Sequence, residues 1–383
     1  MSQIFPNTPG VQIKEVMLGA PPIAGVGTST AGFVGKAPKA GQFPNVARLV
    51  TSADQFTAEY IGTDVAAATR STALSRAVSG FFLNGGTACY VVNIDSDAPA
   101  DVVTALKLLE VIDEVAIIAA PGHTAANVYN ALEDQADSTG DRVAILDPPA
   151  KVGNIADLKK NGASRPRDSI YAAFYYPRIS VGKDLPDDPD QEYVAPSGHI
   201  AGLYARVDAA KGVHKAPANE RVRGALGVEH ALTDSDQNSL NVDGVNLLRV
   251  FSEGTVVWGA RTLLAADAGD KTYLYLNVRR LVNYIEESLQ EGLRFAVFEP
   301  NNLALRQTIT RSVRGFLDGV WRDGALFGAT ADEAYYVRFP EMFNRDEDRA
   351  LGKLTIEVGL RVSYPAEFII VRIGLILQSA AAA

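Results

Sequence analysis

Cys89-Tyr-Val-Val-Asn-Ile94, Val115-Ala-Ile-Ile-Ala119 and Val143-Ala-Ile-Leu146 are three short apolar runs, and the segments between them decide the fold. Asp101–Leu109 and Ala125–Asp137 carry helical patterning, so strand alternates with helix. Continuous apolar runs belong to strands covered on both faces, as in a largely parallel sheet. The helices between them supply the cover. The last run stops at Pro148-Pro149.

The pattern extends in both directions. Upstream, Ser29–Gly35 and Ala47–Val50 read as strands and Ser52 as a helix cap. Ala66–Leu83 reads as a helix with Leu74, Val78, Phe81 and Phe82 at helical spacing, stopped by Asn84-Gly-Gly86. Downstream, residues 184–192 hold five acidic side chains and two prolines, an exposed loop. Ala266-Asp-Ala-Gly-Asp270 suggests a boundary. Beyond it the pattern becomes α+β: a strand at Tyr273–Leu276, two helices, and late strands at Leu354–Val362 and Phe368–Leu377. The first helix, 278–291, puts Leu281, Ile285 and Leu289 on one face and ends at Gly292. The second, 303–322, opens at Asn301-Asn302 and turns Leu305, Ile309, Val313, Phe316 and Val320 inward. Its other face carries Arg306, Thr310 and Arg314, with Arg311 and Arg322 nearby. No internal repeat is found.

The ends differ from the middle. Pro6, Pro9, Gly10, Gly19, Pro21 and Pro22 break up residues 1–24, and only Val11-Gln-Ile-Lys-Glu-Val16 alternates with the period of a strand. No turn-linked partner follows it, so it reads as an arm. The expected class is α/β: a mixed α/β region over 25–265, an α+β region over 266–366, and extended arms at 1–24 and 367–383.

The 383 residues are 47% hydrophobic and 21% charged, with 36 basic against 45 acidic side chains, a formal charge of −9. That balance disfavours coating nucleic acid or an anionic membrane. The single cysteine, Cys89, excludes an intrachain disulfide framework or a zinc site built on several thiolates. Met1-Ser-Gln-Ile-Phe-Pro-Asn7 lacks the regions of a signal peptide. Phe368–Leu377 is half the length of a membrane span and carries Arg372. A cytoplasmic protein is expected.

Chemistry is sparse. His123, His199, His214 and His230 show no metal-ligand spacing. Gly25-Val-Gly27 lacks the third glycine of a dinucleotide loop, and Gly32-Phe-Val-Gly35-Lys36 the spacing of a phosphate loop. Gly27-Thr-Ser29-Thr-Ala31 superficially resembles a subtilisin nucleophile segment, but Ser29 precedes every histidine, the wrong chain order for that triad. No catalytic, cofactor or metal residue is assigned. The reading competing with a structural role is a soluble α/β hydrolase-like or nucleotide-binding enzyme.

The chain resembles the contractile tail sheath proteins along nearly its whole length. The similarity is carried by Pro9-Gly-Val-Gln-Ile-Lys-Glu-Val16, Thr28-Ser-Thr-Ala-Gly-Phe-Val-Gly35 and Phe81-Phe-Leu-Asn-Gly-Gly86 running into Cys89-Tyr-Val-Val92. It continues through Ala172-Ala-Phe-Tyr-Tyr-Pro177, Val194-Ala-Pro-Ser-Gly-His-Ile-Ala-Gly202, Lys215-Ala-Pro-Ala-Asn219, Gly244-Val-Asn246 and Trp258-Gly-Ala-Arg-Thr-Leu263. The most specific part is Asn277-Val-Arg-Arg-Leu281, Tyr284-Ile-Glu-Glu-Ser288, Phe298-Glu-Pro-Asn-Asn302, Trp321 with Gly324-Ala-Leu326, and Pro365-Ala-Glu-Phe368. The compact size resembles sheaths of R-type bacteriocins and extracellular injection systems as much as those of phages.

The resemblance implies a non-catalytic fold related to subtilisin-like folds, plus a carboxyl-terminal domain nearest an inner tube. It implies subunits stacked as six-fold rings or helical strands that shorten to drive the tube through a target envelope. The implied partners are other sheath subunits, the inner tube protein, and baseplate and terminator or cap proteins, with no nucleic acid and no membrane insertion. The particle would be a virion tail, a released particle or an intracellular injection system. Val11, Gln12, Ile13, Lys14, Glu15 and Val16 would then form one inter-subunit strand, and Phe368, Ile369, Ile370, Val371, Arg372 and Ile373 the other. Arg306, Arg311 and Arg314, chiefly Arg306 and Arg314, are the candidates for meeting an acidic tube surface.

Overall fold

The computed structural model describes residues 22–39, 41–62, 70–182, 193–265 and 267–370. The three deciding runs become neighbours in one sheet. Its strands are β1 (Ala31–Gly35), β2 (Arg48–Val50), β3 (Cys89–Asn93), β4 (Ile117–Ala119), β5 (Val143–Leu146), β6 (Ala172–Tyr176), and later β9 (Glu220–Arg221), β11 (Val245–Phe251) and β12 (Gly254–Val257). The order is β2-β3-β1-β4-β5-β6-β11-β12-β9. From β3 to β11 every pairing is parallel, and the edge pairings are antiparallel. The small strands β7 (Ile179–Ser180), β8 (Tyr193–Val194) and β10 (Gly227–Val228) form a separate sheet.

Both faces are buried, which is why the runs are apolar throughout rather than alternating. Phe33, Val91, Ile117, Ile145 and Tyr175 face one core. Their chain neighbours Val34, Val92, Ile118, Leu146 and Phe174 face the other. The first core is closed by α2 (Ala73–Asn84) and α5 (Ser197–Lys211), the second by α3 (Pro99–Glu110) and α4 (Ala126–Thr139). α2 and α5 lie almost backbone to backbone. A Cβ at Gly198 would come 2.3 Å from the Ala77 backbone, and one at Gly202 would come 2.2 Å from the Phe81 carbonyl oxygen.

Two short helices, α1 (Ala53–Phe56) and α6 (Asp234–Asn241), flank this body. Ser52 caps α1, its side chain accepting from the Gln55 N–H. α2 stops at Gly85, which takes φ +117°, a left-handed conformation that costs glycine little.

A third apolar cluster joins α7 (Leu276–Gly292), α8 (Leu303–Arg322), α9 (Ala331–Ala334) and the hairpin of β13 (Tyr335–Arg338) with β14 (Glu357–Leu360). α10 (Asp346–Ala350) sits in the connection between those strands. α8 occupies the expected span, with the Asn302 side chain accepting from the Leu305 N–H at 2.9 Å. Ile309, Val313, Phe316 and Val320 are buried, and Leu305 packs at the margin.

One expected strand is absent. Tyr273–Leu276 is a turn running into a helix: Asp270 accepts from the Thr272 N–H and hydroxyl at 2.8 and 2.6 Å, and Leu276 opens α7. Only Tyr275 pairs, as a lone bridge with Arg261. The strand preference of Tyr-Leu-Tyr-Leu is overridden by that turn and by Tyr273 covering Arg279, whose guanidinium lies 4.2 Å from the ring centroid. The late strand is also shorter, Glu357–Leu360 within the expected 354–362. Residues 11–16, 66–69, 184–192 and 371–377, on which other expectations fall, lie outside the described residues. No helix among the described residues is long and apolar enough to cross a membrane.

Candidate assembly site at the two chain ends

The described amino-terminal segment, 22–30, lies as a strap along α7. Ile23 is buried against Gly292, where a Cβ would meet it at 2.5 Å. The Val26 N–H donates to Ser288 Oγ at 3.1 Å. Thr28 donates its hydroxyl to Asp208 Oδ2 at 2.7 Å, and its carbonyl accepts from Arg280 Nη2 at 3.0 Å. Arg280 and Asp208 form a two-pronged pair at 2.9 and 2.5 Å, with side chains only 3% and 6% exposed. Burial opposes the Arg280 charge, but Asp208 more than offsets it and the guanidinium holds its proton more tightly than usual. Arg280 also lies over the Tyr204 ring, 4.7 Å from its centroid. The strap therefore joins α5, in the sheet body, to α7, in the third cluster.

The carboxyl-terminal segment leaves β14 by continuing alongside residues 325–334. Arg361 N–H donates to the Ala334 carbonyl at 2.8 Å, and Ser363 N–H to that of Ala325 at 3.0 Å. From 364 to 370 no backbone–backbone hydrogen bond is made among the described residues. Glu367 instead accepts from Arg261 Nε at 3.0 and 3.2 Å, Arg261 Nη2 at 2.7 Å, Asn241 Nδ2 at 2.8 Å and Tyr275 Oη at 2.8 Å. Burial pushes its pKa up, but the hydrogen bonds from Arg261, Asn241 and Tyr275 outweigh burial and hold it below the usual carboxylate range. Immediately beyond, Phe368, Ile369 and Ile370 are 70%, 83% and 83% exposed. Three consecutive exposed apolar residues are unusual on a monomer surface.

Next to β14 lies an apolar groove of about 340 Å³, lined by Leu289, Leu293, Val313, Ile356 and Val358 with Glu286 and Gln290 at its rim. β13 and β14 form a sheet of only two strands, so each has one edge without a strand partner among the described residues.

On the outer face of α8 the three arginines separate. Arg306 is half-buried, its Nε and Nη2 both 3.3 Å from Asn301 Oδ1 and its guanidinium 5.7 Å from the Phe339 ring centroid. Arg311 is exposed. Arg314 is exposed and 3.4 Å from Asp332, itself exposed, a pair of small net worth.

The place where an α/β enzyme would put its site, at the carboxyl ends of the parallel strands, is closed on itself. Asp147, just after β5, accepts from Ser197 Oγ and N–H at 2.6 and 2.8 Å and from the Gly122 N–H at 3.1 Å. His199 is buried against Gly80, and burial, reinforced by Arg76, lowers its pKa to about 4, leaving a neutral imidazole. No group of three or more His, Cys, Asp or Glu among the described residues is placed to hold a metal ion.

Sequence reasoning proposes Arg306, Arg311 and Arg314 as tube contacts and does not reach the Glu367–Arg261 clamp or the Arg280–Asp208 pair. A signal existed for the second: Arg279-Arg280 sits among the apolar positions of an amphipathic helix, where arginine is rarely buried unpaired. Glu367 falls in Pro365-Ala-Glu-Phe368, between a proline and an apolar run, and spacing alone gives it no partner.

Two family profiles cover most of the chain. Residues 99–263 match the phage tail sheath protein central domain, and residues 268–376 the phage tail sheath carboxyl-terminal domain. The tail sheath protein of Burkholderia phage BcepMu is 33% identical over 180 residues, 45% of this chain. This chain spans only 36% of that relative's length. Among solved structures, the sheath complex of the extracellular contractile injection system PVC, in its contracted state, is 28% identical with a TM-score of 0.78, covering 99% of both chains. The helical sheath of the anti-feeding prophage, also contracted, is 29% identical with a TM-score of 0.77, covering 96% of this chain and 99% of that one.

Proposed function

The chain belongs to the phage tail sheath family, and from that premise we propose that it polymerises helically around an inner tube and shortens to drive the tube through an envelope. The relatives described above are structural sheath proteins, and the enzyme reading is set aside with them. The observation that carries the proposal is the pairing of ends and acceptor: exposed Phe368-Ile-Ile370 beyond a tethered Glu367, and a two-stranded sheet with open edges beside an apolar groove. The exposed segment lacks a sheet, and the two-stranded sheet lacks further strands.

Residues 11–16 and 368–373 act as arms that add strands to β13–β14 of neighbouring subunits. The arms are 1–24 and 367–383, the sheath body 25–265, and the tube-facing domain 266–366. A strand advances about 3.3 Å per residue, so two dozen residues bridge adjacent subunits. Each ladder hydrogen bond contributes only about 0.5–1.5 kcal/mol, but several per arm, repeated over many subunits, make a continuous mesh. The mesh holds while the bodies rotate if the chain flexes on the arm side of its two anchors, before Ile23 and after Glu367. Baseplate and terminal cap proteins close the ends of the polymer, and Arg306, Arg311 and Arg314 face the tube.

The purified chain is expected to form hollow tubes in negative stain, wider than a tail tube. Deletion of residues 1–17 leaves a folded monomer that forms none. Tubes from the truncated chain would refute the arm, and their absence from the intact chain would refute polymerisation.

A further inference from the structure

We propose that Arg261, Asn241 and Tyr275 form a receptor for the Glu367 carboxylate whose task is to fix where, and in which direction, the carboxyl-terminal arm leaves the subunit. This rests on the arm reading above and adds the residues that aim the arm. The first ground is over-determination. A glutamate on an irregular segment needs no more than water, yet Glu367 takes five close contacts from three side chains, with a forked guanidinium on both oxygens. The receptor is itself held. Arg261 Nη1 donates to the Asn241 carbonyl at 3.0 Å, and the Arg261 N–H and carbonyl both bond the Asn246 side chain, at 2.7 and 2.8 Å.

The second ground is position. Ser363 makes the last backbone hydrogen bond before the arm, and four residues can reach about 13 Å from it. Without Glu367 the arm would start anywhere within that radius. With it, the arm starts at one point on the sheet body, beside the segment after β12 that supplies Arg261. The receptor also draws on both halves of the molecule, since Asn241 ends α6 and Tyr275 precedes α7. A turn of one half against the other therefore moves the arm's origin with it. Glu367 is a positioning residue in this sense: it makes no strand, and sets the effective concentration of the strand at its acceptor.

Two measurements on the full chain test this. Cys89 is buried, so a cysteine introduced by Ile370→Cys takes a nitroxide label selectively. In the unassembled protein that label is restricted when Glu367 is present and tumbles freely in Glu367→Ala. In unlabelled chains, Glu367→Ala raises the concentration for half-maximal tube formation about tenfold, the order expected when a fixed strand origin becomes a diffuse one, while the melting temperature of the monomer stays within a few degrees. Glu367→Gln, which keeps acceptors but loses the charge, falls between. If Glu367→Ala does not fold, Arg261→Lys, which keeps a cation without the fork, is read on both scales. An unchanged label, or a half-maximal concentration within twofold of wild type, overturns the proposal. If the wild-type chain forms no tubes, polymerisation is refuted and the label comparison still decides the clamp.

Discussion

Glu287, half-buried on α7, lines a small cavity with Asp141 and Tyr284. Burial, then the like charges of Asp141 and Glu291, push its pKa up to about 7, against a lowering by Arg142 and with a further small rise from Asp113. In the unfolded chain a glutamate titrates near 4.3. The folded state therefore binds the extra proton over the interval between. Its stabilising contribution is complete below the unfolded value and is lost as pH rises through about 7. Glu287→Gln removes that loss, so the variant should melt higher than wild type at pH 8, with the gain shrinking as pH falls toward 5. A gain independent of pH, read by thermal melts across that range, would contradict the account. At this scale the sequence was legible where chemistry is local: Ser52 and Asn302 were read as caps from their own neighbours. It was silent where partners lie far apart, as with Glu367 and Arg261, 106 residues distant.

Among the elements, α8 was the most legible, because its start has a capping side chain and its apolar face recurs every three or four residues through Leu305, Ile309, Val313, Phe316 and Val320. Tyr273–Leu276 was misread because four residues of aromatic and aliphatic character fit a strand in isolation, and the Asp270–Thr272 turn dominates them. What α8 presents outward follows from the same geometry. Arg306 is partly used up by Asn301 and Phe339, whereas Arg311 and Arg314 project into solvent. The tube contact proposed for this face therefore falls chiefly on the latter two. Arg311→Glu with Arg314→Glu should leave sheath tubes forming alone and abolish their co-assembly with tube protein, scored by co-sedimentation. Normal co-assembly would remove this face from consideration.

For the whole molecule, the strand runs were readable but their order was not. Across the sheet the strands lie in the order β2-β3-β1-β4-β5-β6-β11, and nothing in the period of a strand says which run lies beside which. The union of the sheet body with the third cluster was equally hidden, because it depends on Thr28, Asp208 and Arg280 meeting from three remote stretches. Removing one partner of a buried charged pair strands the other, at about 3–5 kcal/mol. Asp208→Ala should cost that much in denaturant unfolding, and a loss below about 1 kcal/mol would show the pair to be dispensable.

The contact between α2 and α5 has a mechanical consequence. Side chains in an ordinary helix pair act as springs, since rotamers can shift under stress. Where Gly198 and Gly202 set one main chain directly on another, there is almost nothing left to compress. In a polymer of the kind proposed, force would pass across this seam undiminished, and deformation would be confined to the joints between subunits. A cage that is to shorten smoothly needs bricks that do not.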